Sequence, residues 1–173
     1  HHGMWYAHPD FNIQKSSPTL FTSGGFMALD RLKFLNLKGF DKIFYPAYGE
    51  DLDKCFRAWM KGWKCIYEPK SIVLHRENAS WINEGKTHML FLQQRAWLLF
   101  VIKYLPSPCS FLEKHVFLFL QLIKSIFLND RVFFNAWVSA HRIKRRHSKI
   151  FISEKVSLDF IKKLGSCTIN MGI

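Results

Sequence analysis

Between Leu52 and Met60 the apolar residues fall at Leu52, Cys55, Phe56, Trp59 and Met60, the i, i+3, i+4, i+7, i+8 series of a helix that buries one stripe. Gly62 is placed to stop this helix, and Gly49-Glu50-Asp51-Leu52-Asp53 opens it with three carboxylates. At about 100° per residue, Glu50 and Asp51 point away from the stripe, whereas Asp53 lies on its flank, one turn before Arg57. Acids suit a helix N-terminus, where free N–H groups and the dipole favour each by about 0.3–1 kcal/mol. The same field keeps a carboxylate ionised on a rigid support, which is what a general base needs to take a proton from a hydroxyl. The helix alone leaves both readings open.

On either side the pattern is one of short elements. Residues 4–18 are polar, aromatic and punctuated by Pro9 and Pro18, which predicts a loop. Leu20 to Leu29 is apolar but broken by Ser23-Gly24-Gly25, which predicts a strand, a turn and a second strand. Asp30 is a suitable N-cap for a helix that runs to Leu37 and ends near Gly39, after which Phe40 is expected to plug the core. Lys64–Pro69 and Ser71–His75 predict two further strands joined by a Pro-Lys turn, with His75 at a strand end, where a neutral imidazole can reach a divalent metal.

The ordered set of a small-residue turn (Ser23, Gly24, Gly25), a GFD (Gly39, Phe40, Asp41), a GEDxD (Gly49, Glu50, Asp51, Asp53), a GW (Gly62, Trp63) and a strand ending in His75 resembles the C-terminal half of family 2 glycosyltransferases, in the bacterial rhamnosyltransferase-like branch. The resemblance covers about sixty residues, from Phe21 to Trp81. It implies a partial GT-A domain, like that of nucleotide-diphospho-sugar transferases, and an inverting transfer of a sugar from a nucleotide-sugar to a hydroxyl, as in the biosynthesis of bacterial cell-surface polysaccharide. Asp51 would be the general base and Glu50 would orient the base or the acceptor. Ser23, Gly24, Gly25, Asp53 and Arg57 would line the substrate pocket, and His75 would contact a divalent metal, Mg²⁺ or Mn²⁺, beside the diphosphate. The acceptor implied is a glycan or a lipid-linked molecule. In the family, the donor is gripped by an N-terminal half carrying a DxD pair. No DxD precedes Phe21 here, so the chain corresponds to the acceptor-side half and is expected not to catalyse alone. Gln93-Gln94-Arg95-Ala96-Trp97 lacks the spacing of the QxxRW of processive members, which favours a single transfer.

From Thr87 the composition changes. Residues 87–173 hold 13 Lys+Arg against 4 Asp+Glu, a net +9 of the chain's +12. Met89–Leu105 and Phe111–Leu128 are apolar but interrupted by charge (Arg95, Lys103; Glu113, Lys114, Lys124), so each falls short of the ~20 residues that span a bilayer. Pro106-Ser107-Pro108 between them predicts a helical hairpin. In the second helix Lys114, Gln121 and Ser125 form one narrow polar strip, so the rest must be buried in the protein or lie in a membrane interface.

Arg131–Ala140 is again aromatic, with Trp137, and leads into five cations between His141 and Lys149, among them Arg142, Lys144, Arg145 and Arg146. A solvated helix end, an anionic lipid surface and nucleic acid all suit such a run. The company of Trp137 and the phenylalanines favours the membrane, and the absence of any nucleic-acid motif disfavours the last. Cysteines at 55, 65, 109 and 167 have neither CxxC spacing nor histidines at ligand distance, which speaks against a zinc site or a disulfide framework and for a reducing setting. The expectation is an α/β partial GT-A domain over 1–86 and a mostly α-helical, membrane-associating region over 87–173, cytoplasmic and peripheral at the inner face of the membrane. A non-catalytic peripheral membrane or scaffold domain of glycosyltransferase-like shape is the alternative.

Overall fold

The structure, a computed structural model, describes residues 14–20, 22–73, 85–104 and 109–148, with the side chains of 109–115 and 117 left aside. His75, Trp81 and the Pro106–Pro108 turn, all named above, lie outside the described residues. The chain divides into two compact units, one built by residues 14–42 and 50–73, the other by 43–49, 85–104 and 109–148. The segment 43–49 therefore belongs with the helices that follow residue 85, not with its sequence neighbours.

In the first unit, strand β1 (Ser17–Thr19) pairs antiparallel with β2 (Cys65–Tyr67), in the register Ser17 to Tyr67, Pro18 to Ile66 and Thr19 to Cys65. The Ser16 hydroxyl donates to the Glu68 carboxylate at one end of this ladder. Helix α1 (Arg31–Asn36) starts as its sequence predicts: the Asp30 carboxylate accepts from Lys33 N at 3.1 Å, satisfying one of the free N–H groups of the first turn. It ends through Lys38 and Gly39 in the left-handed region (φ 61° and 71°), with Gly39 N donating to Phe34 O at 3.0 Å. Helix α2 (Glu50–Met60) stops at Gly62, whose φ of 76° lets Trp63 N reach back to Ala58 O at 2.9 Å.

Three expectations are corrected here. The described residues of Leu20–Leu29 contain neither expected strand: the strand lies earlier, at Ser17–Thr19, reaching into the stretch expected as loop, Gly24–Phe26 is a single 3-10 turn, and the strand's partner comes from 65–67. Two adjacent glycines leave too short an apolar run for a ladder. Ile72 and Val73 form no strand either, and both are exposed. Phe40 does not plug the core: it is 41% exposed and meets Phe34 edge-on, ring centroids 5.1 Å apart, so the two rings cover each other at the surface.

The second unit is helical: α3 (Lys86–Tyr104), α4 (Cys109–Phe127) and α5 (Arg131–Arg146), with α5 against both others. Helix α3 buries Leu92, Leu98, Leu99, Val101 and Ile102, and with them Gln94, Arg95 and Lys103. Asp130 caps α5 by accepting from Phe133 N at 3.0 Å. Ala96 on α3 and Ala136 and Ala140 on α5 are fully or nearly fully buried, small residues that let helix axes approach closely. The 43–49 segment supplies Ile43 and Phe44 to this core, and its Tyr45 carbonyl accepts from Arg95 Nη2 at 2.7 Å. Gly49 is obligatory there: its φ is 87°, and a Cβ would stand 2.8 Å from the buried Phe44 ring and 3.0 Å from Ala96 Cβ.

Mixed helix and strand is thus present, but the described residues are mostly helical, with one small two-stranded sheet in the first unit. Among them no helix is long and apolar enough to cross a membrane. The polar strip expected on α4 is turned inward at Ser125, which is buried and donates its hydroxyl to Leu122 O at 2.7 Å within the same helix. Val116, Phe119, Leu120, Ile126 and Phe127 are exposed instead.

Candidate functional site

The first turn of α2 has free N–H groups because an α-helix leaves its first four donors without intrahelical partners. Asp51 answers one of them itself, its Oδ1 accepting from Leu52 N at 2.8 Å, while Oδ2 accepts from Gly24 N at 3.3 Å. The Ser23-Gly24-Gly25 turn and the acidic helix start, 27 residues apart between Gly24 and Asp51, therefore meet. Asp51 is half-exposed, Ser23 is half-buried, and Gly24 and Gly25 face solvent. A side chain at Gly25 would meet nothing within 4 Å, and one at Gly24 only ordinary contacts with Met27 and Asp51. Packing within the chain does not demand glycine at either position, and the open space lies directly beside the Asp51 carboxylate.

Glu50 differs from its neighbour. It is half-buried, and its Oε2 has no hydrogen-bond partner among the described residues. Burial pushes its carboxyl above the usual range, and the negative charge of Asp51 pushes the same way. Of the two adjacent carboxyl groups, Glu50 is half-buried without a described partner for Oε2, and Asp51 is half-exposed and hydrogen-bonded to two backbone amides.

Asp53 and Arg57 are placed otherwise than substrate-binding residues. Asp53 is fully buried, and Arg57 Nε donates to its Oδ2 at 2.7 Å, one helical turn away. The same guanidinium donates to Leu37 O and, at 2.8 Å, to Gly39 O. Those are carbonyls of the α1 C-terminus, whose last groups have no helical partner. Arg57 thus ties α2 to the end of α1, and Asp53 neutralises it.

The described residues bring together no group of three or more His, Cys, Asp or Glu side chains able to hold a metal. Asp51 and Glu50 do not by themselves fit the Mg²⁺ or Mn²⁺ implied above, and His75 lies outside the described residues. In the second unit, Trp137 is half-buried with its ring 4.0 Å from that of His141, whose Nδ1 lies 2.9 Å from Trp137 O. Trp137, His141 and Lys144 line one side of a cleft of about 400 Å³, whose apolar lining includes Ile102, Phe119 and Leu122. Arg142, Arg145 and Arg146 are exposed.

One cluster escapes sequence reasoning entirely. Cys55 is fully buried on α2, and its Sγ accepts from Thr22 N at 3.3 Å, with Thr22 Oγ1 at 3.5 Å. Lys54, also buried, reaches Thr22 Oγ1 at 3.4 Å and the Met27 sulfur. The neighbouring Cys65 thiol, the bonds from Thr22 and the Lys54 charge hold the Cys55 thiol down to about 6 against the effect of burial, and the thiol itself donates to Thr22 O at 3.9 Å. Cys65 is pushed up by the neighbouring Cys55 and by burial. No spacing rule joins residues 22, 55 and 65; only the β1–β2 register and the docking of α2 do. Compared with protein-family models, curated proteins and solved structures, the chain matches none.

Proposed function

We propose that the chain is the acceptor-side part of an inverting, GT-A-type glycosyltransferase, and that its helical unit sits on an anionic lipid surface. The observation that carries the catalytic reading is the half-exposed Asp51 carboxylate, held by Gly24 N–H beside an open Ser-Gly-Gly turn and next to a half-buried Glu50 whose carboxyl burial pushes up. In this reading Asp51 takes the proton of an acceptor hydroxyl as its oxygen bonds to the anomeric carbon of the sugar. The bond from that carbon to the nucleoside diphosphate breaks on the opposite face, which inverts the centre. Glu50 orients the acceptor or Asp51. Ser23 and the Gly24-Gly25 backbone bound the pocket, and Asp53 and Arg57 hold its floor rigid.

The test is Asp51→Asn in the catalytically complete protein, supplied with nucleotide-sugar and Mg²⁺ or Mn²⁺. Asn keeps the shape and much of the capping capacity but accepts no proton, so turnover should fall by about 10²–10⁴ while the fold is retained. Undiminished turnover returns Asp51 to the role of a helix cap.

A second reading, a peripheral membrane module without turnover, is favoured by the exposed apolar face of α4 together with the cations of α5. Failure of the complete protein to bind nucleotide-sugar in the presence of Mg²⁺ or Mn²⁺, with vesicle binding intact, would select it.

A further inference from the structure

The cleft of the helical unit has a graded lining. Along α5, Trp137, His141 and Lys144 follow at i, i+4 and i+7 and share one face, which runs from an indole to an ammonium over about 10 Å of helix. Helix α4 contributes Leu118, Phe119 and Leu122, and α3 contributes Ile102. Ile102 and Leu118 are buried whereas Phe119 is exposed, so the cleft is closed toward the core and open along α4. Its volume of about 400 Å³ lies within the range of small-molecule sites, roughly 300–1,000 Å³. The His141 ring is a fixed wall: the Trp137 carbonyl can only accept, so Nδ1 donates to it at 2.9 Å, and the ring lies 4.0 Å from the indole. Lys144 is half-buried and is held by no ion pair or hydrogen bond among the described residues. Neither α3 nor α5 contains an Asp or Glu, α4 contains only Glu113, and Asp130 is engaged as the cap of α5. A lysine at such a place lays its stem on apolar surface and keeps its ammonium at the rim. The described lining thus supplies hydrocarbon and a cation, and the matching anion has to come from outside.

We infer that this cleft receives one acyl chain of an anionic membrane lipid, with the lipid phosphate at Lys144. The chain lies among Ile102, Leu118, Phe119 and Leu122, and the headgroup meets the Lys144 ammonium at the rim. Arg142, Arg145 and Arg146, exposed at the same end of α5, add to the attraction. The C-terminus of α5 opposes an anion with about half a negative charge, and four cations outweigh it. Val116 and Phe119 line the cleft and are exposed, with Leu120 exposed beside them. A chain can therefore pass from the bilayer into the cleft over continuous apolar surface. Nucleic acid would use the same cations but leave the apolar lining unfilled. The site rests on the lipid-surface reading of the helical unit, which it narrows to one lipid and one cleft, and it is independent of the catalytic reading.

The experiment uses the full chain and two probes, decyl phosphate and decanol, each below the concentration at which it aggregates. Binding is read by calorimetry, and co-sedimentation with anionic vesicles is measured alongside. The parent should bind decyl phosphate at least about fivefold more tightly than decanol, the factor that one cation contributes near an anionic surface. Lys144→Gln should lower that preference about fivefold and bind decanol as the parent does. Leu122→Trp, which fills the cleft, should weaken both probes by about tenfold or more, the equivalent of two buried methylenes. Its co-sedimentation with anionic vesicles should persist, because the cations are untouched. The inference is overturned if the parent binds the two probes equally, if Lys144→Gln keeps the full preference, or if Leu122→Trp binds both probes as the parent does. A parent that co-sediments with anionic vesicles yet binds neither probe overturns the cleft site and leaves the lipid-surface reading standing. A parent that binds decyl phosphate but ignores vesicles overturns the membrane as the source of the ligand. Should Leu122→Trp fail to fold, Lys144→Gln at the half-buried rim carries the test.

Discussion

Removing the Asp53 carboxylate is the most direct probe of how α2 is held. Asp53 is fully buried and the Arg57 side chain is 12% exposed, with 2.7 Å between Nε and Oδ2. Deleting one partner of such a pair costs about 3–5 kcal/mol, because the other charge stays buried and uncompensated. In Asp53→Ala the guanidinium keeps its bonds to Leu37 O and Gly39 O, so the loss belongs at the lower end, about 3 kcal/mol. Arg57→Met removes the cation beside a buried carboxylate and frees both α1 carbonyls, which places it near the upper end. In the double variant no lone charge remains, so the effects should fall short of additive by about 0.5–3 kcal/mol. Native-state hydrogen exchange of the α2 amides reads this locally and needs no two-state unfolding of the whole chain. A loss of 3 kcal/mol is roughly a hundredfold faster exchange. Acceleration of less than tenfold in Asp53→Ala, or strict additivity in the double variant, would refute the buried-pair account.

Other outcomes follow from the same geometry. Gly49→Ala should destabilise the helical unit by about 2–4 kcal/mol, from a positive φ and overpacking against Phe44; an unchanged urea midpoint contradicts it. Glu50, with its carboxyl pushed up by burial, stabilises the fold where it is protonated, below its unfolded value, and that contribution is lost as pH rises through its folded value. Glu50→Gln should flatten this dependence in a series from pH 4 to pH 7, and parallel curves for variant and parent would remove the linkage. The chain should co-sediment with vesicles rich in anionic lipid, weakly with neutral ones, and release in part on added salt. Replacing Arg142, Lys144, Arg145 and Arg146 by Gln should mimic the salt. A parent chain that ignores both vesicle types removes the lipid surface as a partner.

The extent of α2 was legible in the sequence because everything that sets it is local. The apolar spacing from Leu52 to Met60, the acids of the first turn and the left-handed Gly62 act within one or two turns of the chain. The Asp30 cap of α1 and the order of the three long helices were legible for the same reason. The 3.3 Å contact of Gly24 N with Asp51, between residues 27 apart, is supplied by the fold. What the sequence could not carry are choices made between segments far apart in the chain. Asp53 lay on the flank of a stripe, and only the α1 carbonyls that draw in Arg57 turn that flank into an interior. Phe40 looked like core until Phe34 took it edge-on at the surface. Ser125 and the phenylalanines of α4 have opposite polarity, yet a serine that bonds its own helix backbone can be buried, so polarity alone did not choose the inward face. Cysteines ten residues apart on a helix and a strand carry no spacing signal, and a long-range ladder, Thr19 against Cys65, is what brings them together. Periodicity and capping act through hydrogen bonds between near neighbours, whereas burial of a charge or a thiol depends on which distant group arrives to satisfy it.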